Sequence, residues 1–72
     1  MSAEYVICIA NEDYPASLER RKVYRILPDA KAQKRQLLRV IDESGEDYLY
    51  PADLFVAVRL PQKVERIFSA AP

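Results

Sequence analysis

The sequence predicts a small, mainly β domain of five short strands closing into a barrel, followed by a short C-terminal helix. Two observations predict this fold. Short strand-favouring segments recur along the chain, separated by polar or proline-containing turns. The only glycine, Gly45, lies in the polar run 42–47 between two such segments, where a tight hairpin needs a residue that tolerates positive φ. We expect one domain, with residues 1–60 forming the barrel and residues 61–72 forming a helix or tail of it.

Five strands are predicted, at residues 5–10, 22–27, 36–41, 48–50 and 55–58. The first two lie in the first half of the chain. The first of them is apolar throughout, which indicates a strand covered on both faces and a buried Cys8. Pro28 ends the second strand. Residues 30–35 are helix-prone but too short to be stable alone, so we expect a mobile loop or one helical turn with Asp29 as its N-cap.

The second half supplies three strands and two helical segments. In the third strand we assign Leu38 and Val40 to the core, because the opposite row carries Arg39 and a buried unpaired charge is costly. Pro51 has no amide hydrogen to donate and ends the fourth strand. The next three residues, 52–54, have the length of one 3₁₀ turn before the fifth strand.

The C-terminal residues 62–70 are predicted to form a short amphipathic helix. Val64, Ile67 and Phe68 recur at i, i+3 and i+4, and Pro61 occupies a permitted first position. Two interpretations are open. The apolar stripe either docks on its own barrel, or remains exposed and mediates a weak homodimer of an otherwise monomeric protein.

Two segments resemble SH3 domains. Residues 50–56, Tyr-Pro-Ala-Asp-Leu-Phe-Val, are similar to the Pro-Ser-Asn-Tyr-Val segment by which SH3 domains enter their last strand. Residues 17–27 resemble the small-Leu-x-x-Gly-Lys-x-Tyr-x-Val opening of short, uncharacterised bacterial and phage SH3-like proteins, with Arg21 in place of the usual glycine. The resemblance covers roughly residues 5–60 and implies an SH3-like barrel. It implies little about function, because common folds host many unrelated activities.

Binding of a protein or peptide partner is the first functional hypothesis. Tyr14, beside Pro15 in the long first loop, either lines an aromatic groove for a proline-rich ligand, as the resemblance implies, or simply lies over the barrel edge. The chain has no tryptophan, and Leu54 stands where a peptide-binding SH3 domain has tyrosine. The candidate patch combines aromatic and apolar residues with the acidic hairpin, which favours a basic ligand. Its residues are Tyr14, Tyr48, Tyr50 and Leu54.

Contact with nucleic acid is the alternative hypothesis. Eleven basic and eleven acidic residues cancel, but eight of the basic ones lie between Glu19 and Arg39 beside only two acids, whereas residues 42–53 hold five acids and no base. If the hairpin lies beside the second and third strands, part of this basic set pairs with Glu43, Glu46 and Asp47. The remainder forms a basic face able to hold phosphates. Its residues are Arg20, Arg21, Lys31, Lys34 and Arg35.

Composition argues against an enzyme. The chain has no histidine, the side chain that titrates near neutral pH without special tuning. One cysteine without histidine does not make a zinc site, and the acids of the hairpin lack the spacing of a calcium loop. Phosphate-binding loops need more than one glycine. We therefore expect a non-catalytic module with no cofactor and no metal.

The opening residues bear on location. They contain no basic n-region, and the apolar run is only six residues long, too short for a secretory signal or a membrane span. A single cysteine is unable to form an internal disulfide, which agrees with a reducing compartment. We expect a cytoplasmic protein that does not enter a membrane.

Overall fold

A computed structural model describes residues 4–69, with side chains described for residues 5–67. Across these residues the chain is mainly β, with five antiparallel strands in one sheet, two short helices and a 3₁₀ turn. The elements are β1 Glu4–Cys8, β2 Val23–Leu27, α1 Ala30–Lys34, β3 Leu37–Ile41, β4 Asp47–Pro51, the 3₁₀ turn Ala52–Leu54, β5 Phe55–Val58 and α2 Gln62–Ser69. The mainly β prediction is confirmed, and each predicted strand is present with ends shifted by at most two residues.

The sheet has the strand order β4-β3-β2-β1-β5, so the first strand lies between the second and the last. Tyr5 of β1 is opposite Arg25 of β2 on one side and Val58 of β5 on the other. Strands β2, β3 and β4 form a meander joined by α1 and the hairpin. Over residues 4–69 the edge strands β4 and β5 do not pair with each other, so the structure shows an open sheet.

One face of the sheet carries the core. Its buried side chains come from every strand and from the segment just before β2, and they are Val6, Cys8, Leu18, Tyr24, Ile26, Val40, Tyr50 and Phe55. Leu38 packs against this cluster from β3, so the assignment of Leu38 and Val40 to the core is confirmed. Tyr5 is also buried but on the opposite face, so β1 is covered on both sides, as its apolar sequence predicts.

Helix α1 forms because Asp29 caps it. The Asp29 carboxylate accepts a hydrogen bond from the Ala32 amide at 3.0 Å. The helix ends where Gln36 adopts a positive φ of 60°, a conformation that glycine usually supplies at a helix C-terminus. The Gln36 carbonyl then accepts the Ala52 amide at 2.9 Å, which fixes the end of α1 to the start of the 3₁₀ turn.

Helix α2 contacts the sheet at Tyr5 of β1. The Tyr5 hydroxyl donates to the Glu65 carbonyl at 3.4 Å, and Val64 is partly buried. Ile67, by contrast, is 68% exposed. The Phe68 side chain and residue 70 of the predicted helix lie outside the described residues. No helix within residues 4–69 has the length and apolar character needed to cross a bilayer.

Candidate binding surface

The first loop carries Tyr14 onto the end of the sheet. The Tyr14 amide donates to the Asn11 carbonyl at 2.8 Å, and the Asn11 side chain donates to the Leu18 carbonyl at 2.8 Å. These bonds hold Tyr14 against Tyr50, with ring centroids 5.0 Å apart and ring planes nearly perpendicular. Edge-to-face pairs of this kind contribute about 0.5–1.5 kcal/mol beyond area burial. Tyr14 is therefore a held, partly exposed aromatic side chain.

Tyr50 is the buried residue on which the Tyr14 ring packs. Its ring is only 4% exposed, and it also packs edge-on to Phe55 at a centroid distance of 6.3 Å. Its hydroxyl donates to the Asp42 carboxylate at 2.6 Å. A ligand on the surface reaches Tyr14 but not the Tyr50 hydroxyl.

The 3₁₀ turn forms the neighbouring part of the surface. Leu54 packs against the core and remains partly exposed, and its carbonyl accepts the Ile9 amide at 2.8 Å. With the Ala52 amide bonded to Gln36, both ends of the turn are attached to residues that flank strands, Gln36 before β3 and Ile9 after β1. Of the four patch residues, the structure thus places Tyr14 against Tyr50 and packs Leu54 on the core cluster that includes Tyr50.

Tyr48, the fourth patch residue, lies apart from them. It is opposite Val40 in the β3–β4 ladder, two pairs closer to the hairpin than Tyr50. Its side chain is 52% exposed. Tyr48 therefore belongs to the hairpin end of the strand, not to the 3₁₀ turn.

A cleft of about 500 Å³ opens beside the 3₁₀ turn. Residues at the C-terminal end of α1 and the start of β3 form one wall, and the 3₁₀ turn with the end of β4 forms the other. The lining residues are Arg35, Gln36, Leu37, Pro51, Ala52 and Asp53. The cleft is largely open to solvent.

The hairpin carboxylates are largely engaged within the protein. Asp42 is buried and accepts the Tyr50 hydroxyl, the Ser44 amide at 2.9 Å and the Ser44 hydroxyl at 2.5 Å. Burial pushes the pKa of Asp42 up, but these hydrogen bonds outweigh it and hold the pKa below its ordinary value. The turn closes with Gly45 at a φ of 84°, so the predicted role of the only glycine is confirmed.

Glu43 connects the hairpin to β2. It accepts hydrogen bonds from Lys22 at 2.9 Å and from the Tyr24 hydroxyl at 2.5 Å, and both lower the pKa of its carboxyl group. Burial and the bond to Glu43 raise the pKa of Tyr24 in turn. Asp47 pairs with Arg39 at 2.9 Å. The expected pairing of part of the basic set with the hairpin is therefore observed at Lys22 and Arg39.

Exposed carboxylates remain on the first loop. Glu12 and Asp13 are both exposed, and within the described part of the chain neither forms an ion pair. They immediately precede Tyr14, so negative charge lies beside the partly exposed ring. Sequence reasoning associated a basic ligand with the hairpin and did not single out these two residues, although the Glu-Asp-Tyr-Pro order was visible.

The residues of the proposed basic face lie at two ends of β2. Arg20 and Arg21 precede the strand near the hairpin, whereas Lys31, Lys34 and Arg35 belong to or follow α1 at its other end. Five residues of strand separate the two groups by roughly 16 Å. All five side chains are exposed, and none forms an ion pair with another described residue.

Arg21 occupies a turn that favours glycine. Its φ is 70°, and the Lys22 amide faces the Glu19 carbonyl at 3.4 Å. The Arg21 amide donates to Cys8 O and the Cys8 amide donates to Lys22 O, so two residues oppose one across the ladder. This is a β-bulge whose first residue, Arg21, has a left-handed backbone conformation. The SH3-like opening motif that residues 17–27 resemble has glycine at this position.

Cys8 lies in the core, away from solvent. The Cys8 thiol is 0% exposed, and burial raises its pKa. Among the described residues, no group of three or more potential metal-ligating side chains lies close enough together to hold an ion. Comparison of the chain with family models, curated proteins and solved structures finds no match.

Proposed function

We propose that the chain is a non-catalytic accessory module with an SH3-like barrel that binds an extended segment of a partner protein. The binding surface comprises Tyr14, Leu54 and the cleft beside the 3₁₀ turn. The observation that carries the proposal is Tyr14, held in a fixed orientation above Tyr50 and next to the exposed carboxylates of Glu12 and Asp13. This combination suits a basic, proline-containing segment, which is extended before it binds and loses little entropy on docking.

Three observations support the SH3-like part of the proposal. The first strand lies between the second and the fifth, and a 3₁₀ turn separates β4 from β5. Arg21 has a positive φ where the resembling motif has glycine. Closure of the sheet across the 3₁₀ turn completes the proposed barrel.

The experiment is an amide chemical-shift titration of the full chain with a basic, proline-containing peptide. We expect the largest shifts at Tyr14, Leu54 and the cleft residues. Reversing the loop charge in Asp13→Lys should weaken binding about fivefold, a difference of about 1 kcal/mol. Glu46→Lys is the matched control, because Glu46 is also exposed but belongs to the hairpin. Equal weakening by both variants would show that net charge, and not this surface, governs binding.

Nucleic-acid binding through the basic residues is the competing hypothesis. Arg20, Arg21, Lys31, Lys34 and Arg35 are exposed and form no ion pair with the residues that the structure describes, which favours it, and their division into two groups disfavours a compact footprint. Titration with short single-stranded and double-stranded oligonucleotides tests it. Binding that falls steeply with added salt, together with shifts at both ends of β2, would favour this hypothesis over peptide binding.

A further inference from the structure

The sheet has a second face, opposite the core, which we call the outer face. Because side chains alternate along a strand, the residues that flank core residues in β1, β2 and β5 point to this face. From these three strands they are Tyr5, Ile7, Val23, Arg25, Val56 and Val58. Of these residues only Tyr5 is buried, and its hydroxyl contacts α2. The other five are partly or largely open to solvent.

Three apolar side chains lie side by side across the outer face. Ile7 of β1 is opposite Val23 of β2 on one side and Val56 of β5 on the other. Val56 is 49% exposed, and Ile7 and Val23 are partly exposed. Neighbouring β-branched side chains on adjacent strands form a continuous apolar surface. An exposed surface of this kind marks a place where another molecule packs.

Arg25 lies beside this apolar row and is the unusual residue of the outer face. It is opposite Tyr5 of β1, and its Nε is buried without a hydrogen-bond partner. Among the described residues, Arg25 forms no ion pair. Arg39 of β3 lies on the same face and is bonded to Asp29 and Asp47. An unpaired, buried donor on a guanidinium is costly, so Arg25 lacks an acceptor that its surroundings call for.

We propose that the outer face binds an amphipathic helix of a partner protein that carries a glutamate or aspartate within its apolar stripe. Its carboxylate accepts hydrogen bonds from Arg25, and its apolar side chains cover Ile7, Val23 and Val56. The planar guanidinium selects this group, because it matches a carboxylate with two parallel N–H···O bonds. Since the Arg25 Nε has no partner in the free chain, turning the guanidinium toward the ligand breaks no hydrogen bond at that atom.

The surroundings of the outer face favour an acidic helix in particular. Lys63 and Arg66 of α2 are exposed, and neither forms an ion pair with another described residue. Because α2 contacts this face at Tyr5, their positive charge lies at its border and attracts an acidic partner. A sheet face presents side chains and no free backbone groups. A helix bonds its own backbone internally, so it leaves no backbone group unpaired when it packs there.

The first test is a titration of the full chain with a synthetic helical peptide whose leucine stripe contains one glutamate. The Nε–Hε signal of Arg25 and the backbone amide signals are followed by NMR. We expect shifts of the Arg25 Hε and of the amides of Ile7, Val23 and Val56. A twin peptide with glutamine in place of the glutamate should bind on the order of tenfold more weakly.

A double-mutant cycle tests whether Arg25 contacts the glutamate directly. Arg25→Met keeps an apolar stem and removes the guanidinium, so the two peptides should bind it equally well. Arg25→Lys, which keeps the charge, should retain part of the preference for glutamate. Arg20→Met is the matched control, because Arg20 is exposed and precedes β2, and it should retain the whole preference. A preference that survives Arg25→Met would overturn the proposal.

Other occupants of the outer face would give different results. A shift of the Arg25 Hε when the chain alone is concentrated would show that a second copy covers the face. A larger shift with anionic phosphatidylglycerol vesicles than with the glutamate peptide would indicate a membrane surface. A shift caused by Glu65→Gln in the free chain would show that α2 already supplies the acceptor. Each of these three results would overturn the proposal.

The outer face and the surface around Tyr14 are tested separately. Asp13→Lys changes the first loop, so it should weaken the basic, proline-containing peptide and leave the preference for glutamate at the outer face unchanged. Arg25→Met should have the converse effect. Loss of the preference for glutamate in Asp13→Lys would contradict a separate site on the outer face.

Discussion

The hairpin at residues 42–47 and the first loop at residues 11–17 are both rich in acids, yet their carboxylates have different surroundings. In the hairpin, Asp42 and Glu43 accept hydrogen bonds from tyrosine hydroxyls of neighbouring strands. In the loop, Glu12 and Asp13 are exposed. Adjacent acidic residues are therefore hydrogen-bonded within the fold in one turn and open to solvent in the other, so we expect the first pair to stabilise the protein.

Removal of Asp42 should show the difference most strongly. Asp42→Ala deletes the acceptor for the Tyr50 hydroxyl and for two Ser44 donors, so we expect the free energy of unfolding to fall by about 3 kcal/mol. Urea denaturation followed by circular dichroism measures this loss. In the loop, Asp13→Ala should change stability by less than about 0.5 kcal/mol. Comparable losses of unfolding free energy for Asp42→Ala and Asp13→Ala would show that hairpin and loop carboxylates do not differ in their contribution to stability.

Tyr50→Phe should have the next largest effect. It keeps the ring contacts with Tyr14 and Phe55 but leaves a buried oxygen of Asp42 without its donor, which should cost about 1–2 kcal/mol. Tyr48→Phe is the control, because Tyr48 is half exposed and its replacement should be nearly neutral. A double-mutant cycle with Asp42→Ala should show coupling between the two sites.

Acid should destabilise the protein through the hairpin. The folded-state pKa values of Asp42 and Glu43 lie below their ordinary values, so the folded protein binds fewer protons than the unfolded chain. Their contribution is fully present above the ordinary carboxyl pKa of about 4 and is lost as pH falls below it toward the folded-state values. Urea unfolding at a series of pH values measures this. Glu43→Gln should flatten the pH dependence relative to the parent chain.

Replacement of Arg21 should have the smallest effect and the opposite sign. The hairpin has glycine at its left-handed position, whereas the turn after the first loop has Arg21 at a φ of 70°. Glycine adopts a positive φ without strain, whereas it also increases the conformational entropy of the unfolded chain. We expect the first effect to be larger, so Arg21→Gly should stabilise the fold by about 0.5–1 kcal/mol. Arg20→Gly, one residue away, should not. Thermal denaturation of the two variants, compared with the parent chain, decides the matter.

The strands were predictable because their signals are local. The apolar runs, the prolines and the only glycine determine where strands begin and end, and Asp29 caps α1 as its position predicts. The bond between Tyr50 and Asp42 depends on strand register, which residue type alone does not reveal. The left-handed conformation of Gln36 is likewise not predictable from the sequence, since glutamine has no preference for it.

The candidate surface was only partly predictable. Tyr14 and Leu54 were identified from the resemblance, and the structure packs both against the core cluster. The basic residues form one cluster in sequence but two groups in space, because a strand carries the chain about 16 Å between them. The cleft needs walls from two segments that are distant in sequence, so no local pattern indicates it.

Arg39 has a consequence for the relation between helix and sheet. Its Nε bonds to Asp29, the cap of α1, while a different guanidinium nitrogen bonds to Asp47 at the start of β4, both at 2.9 Å. Arg39, on β3, thereby links α1, which precedes β3, to β4, which pairs with β3. A lysine at this position would carry the same charge, but its single ammonium group would bond well to only one of the two carboxylates. Arginine and lysine are therefore not interchangeable here.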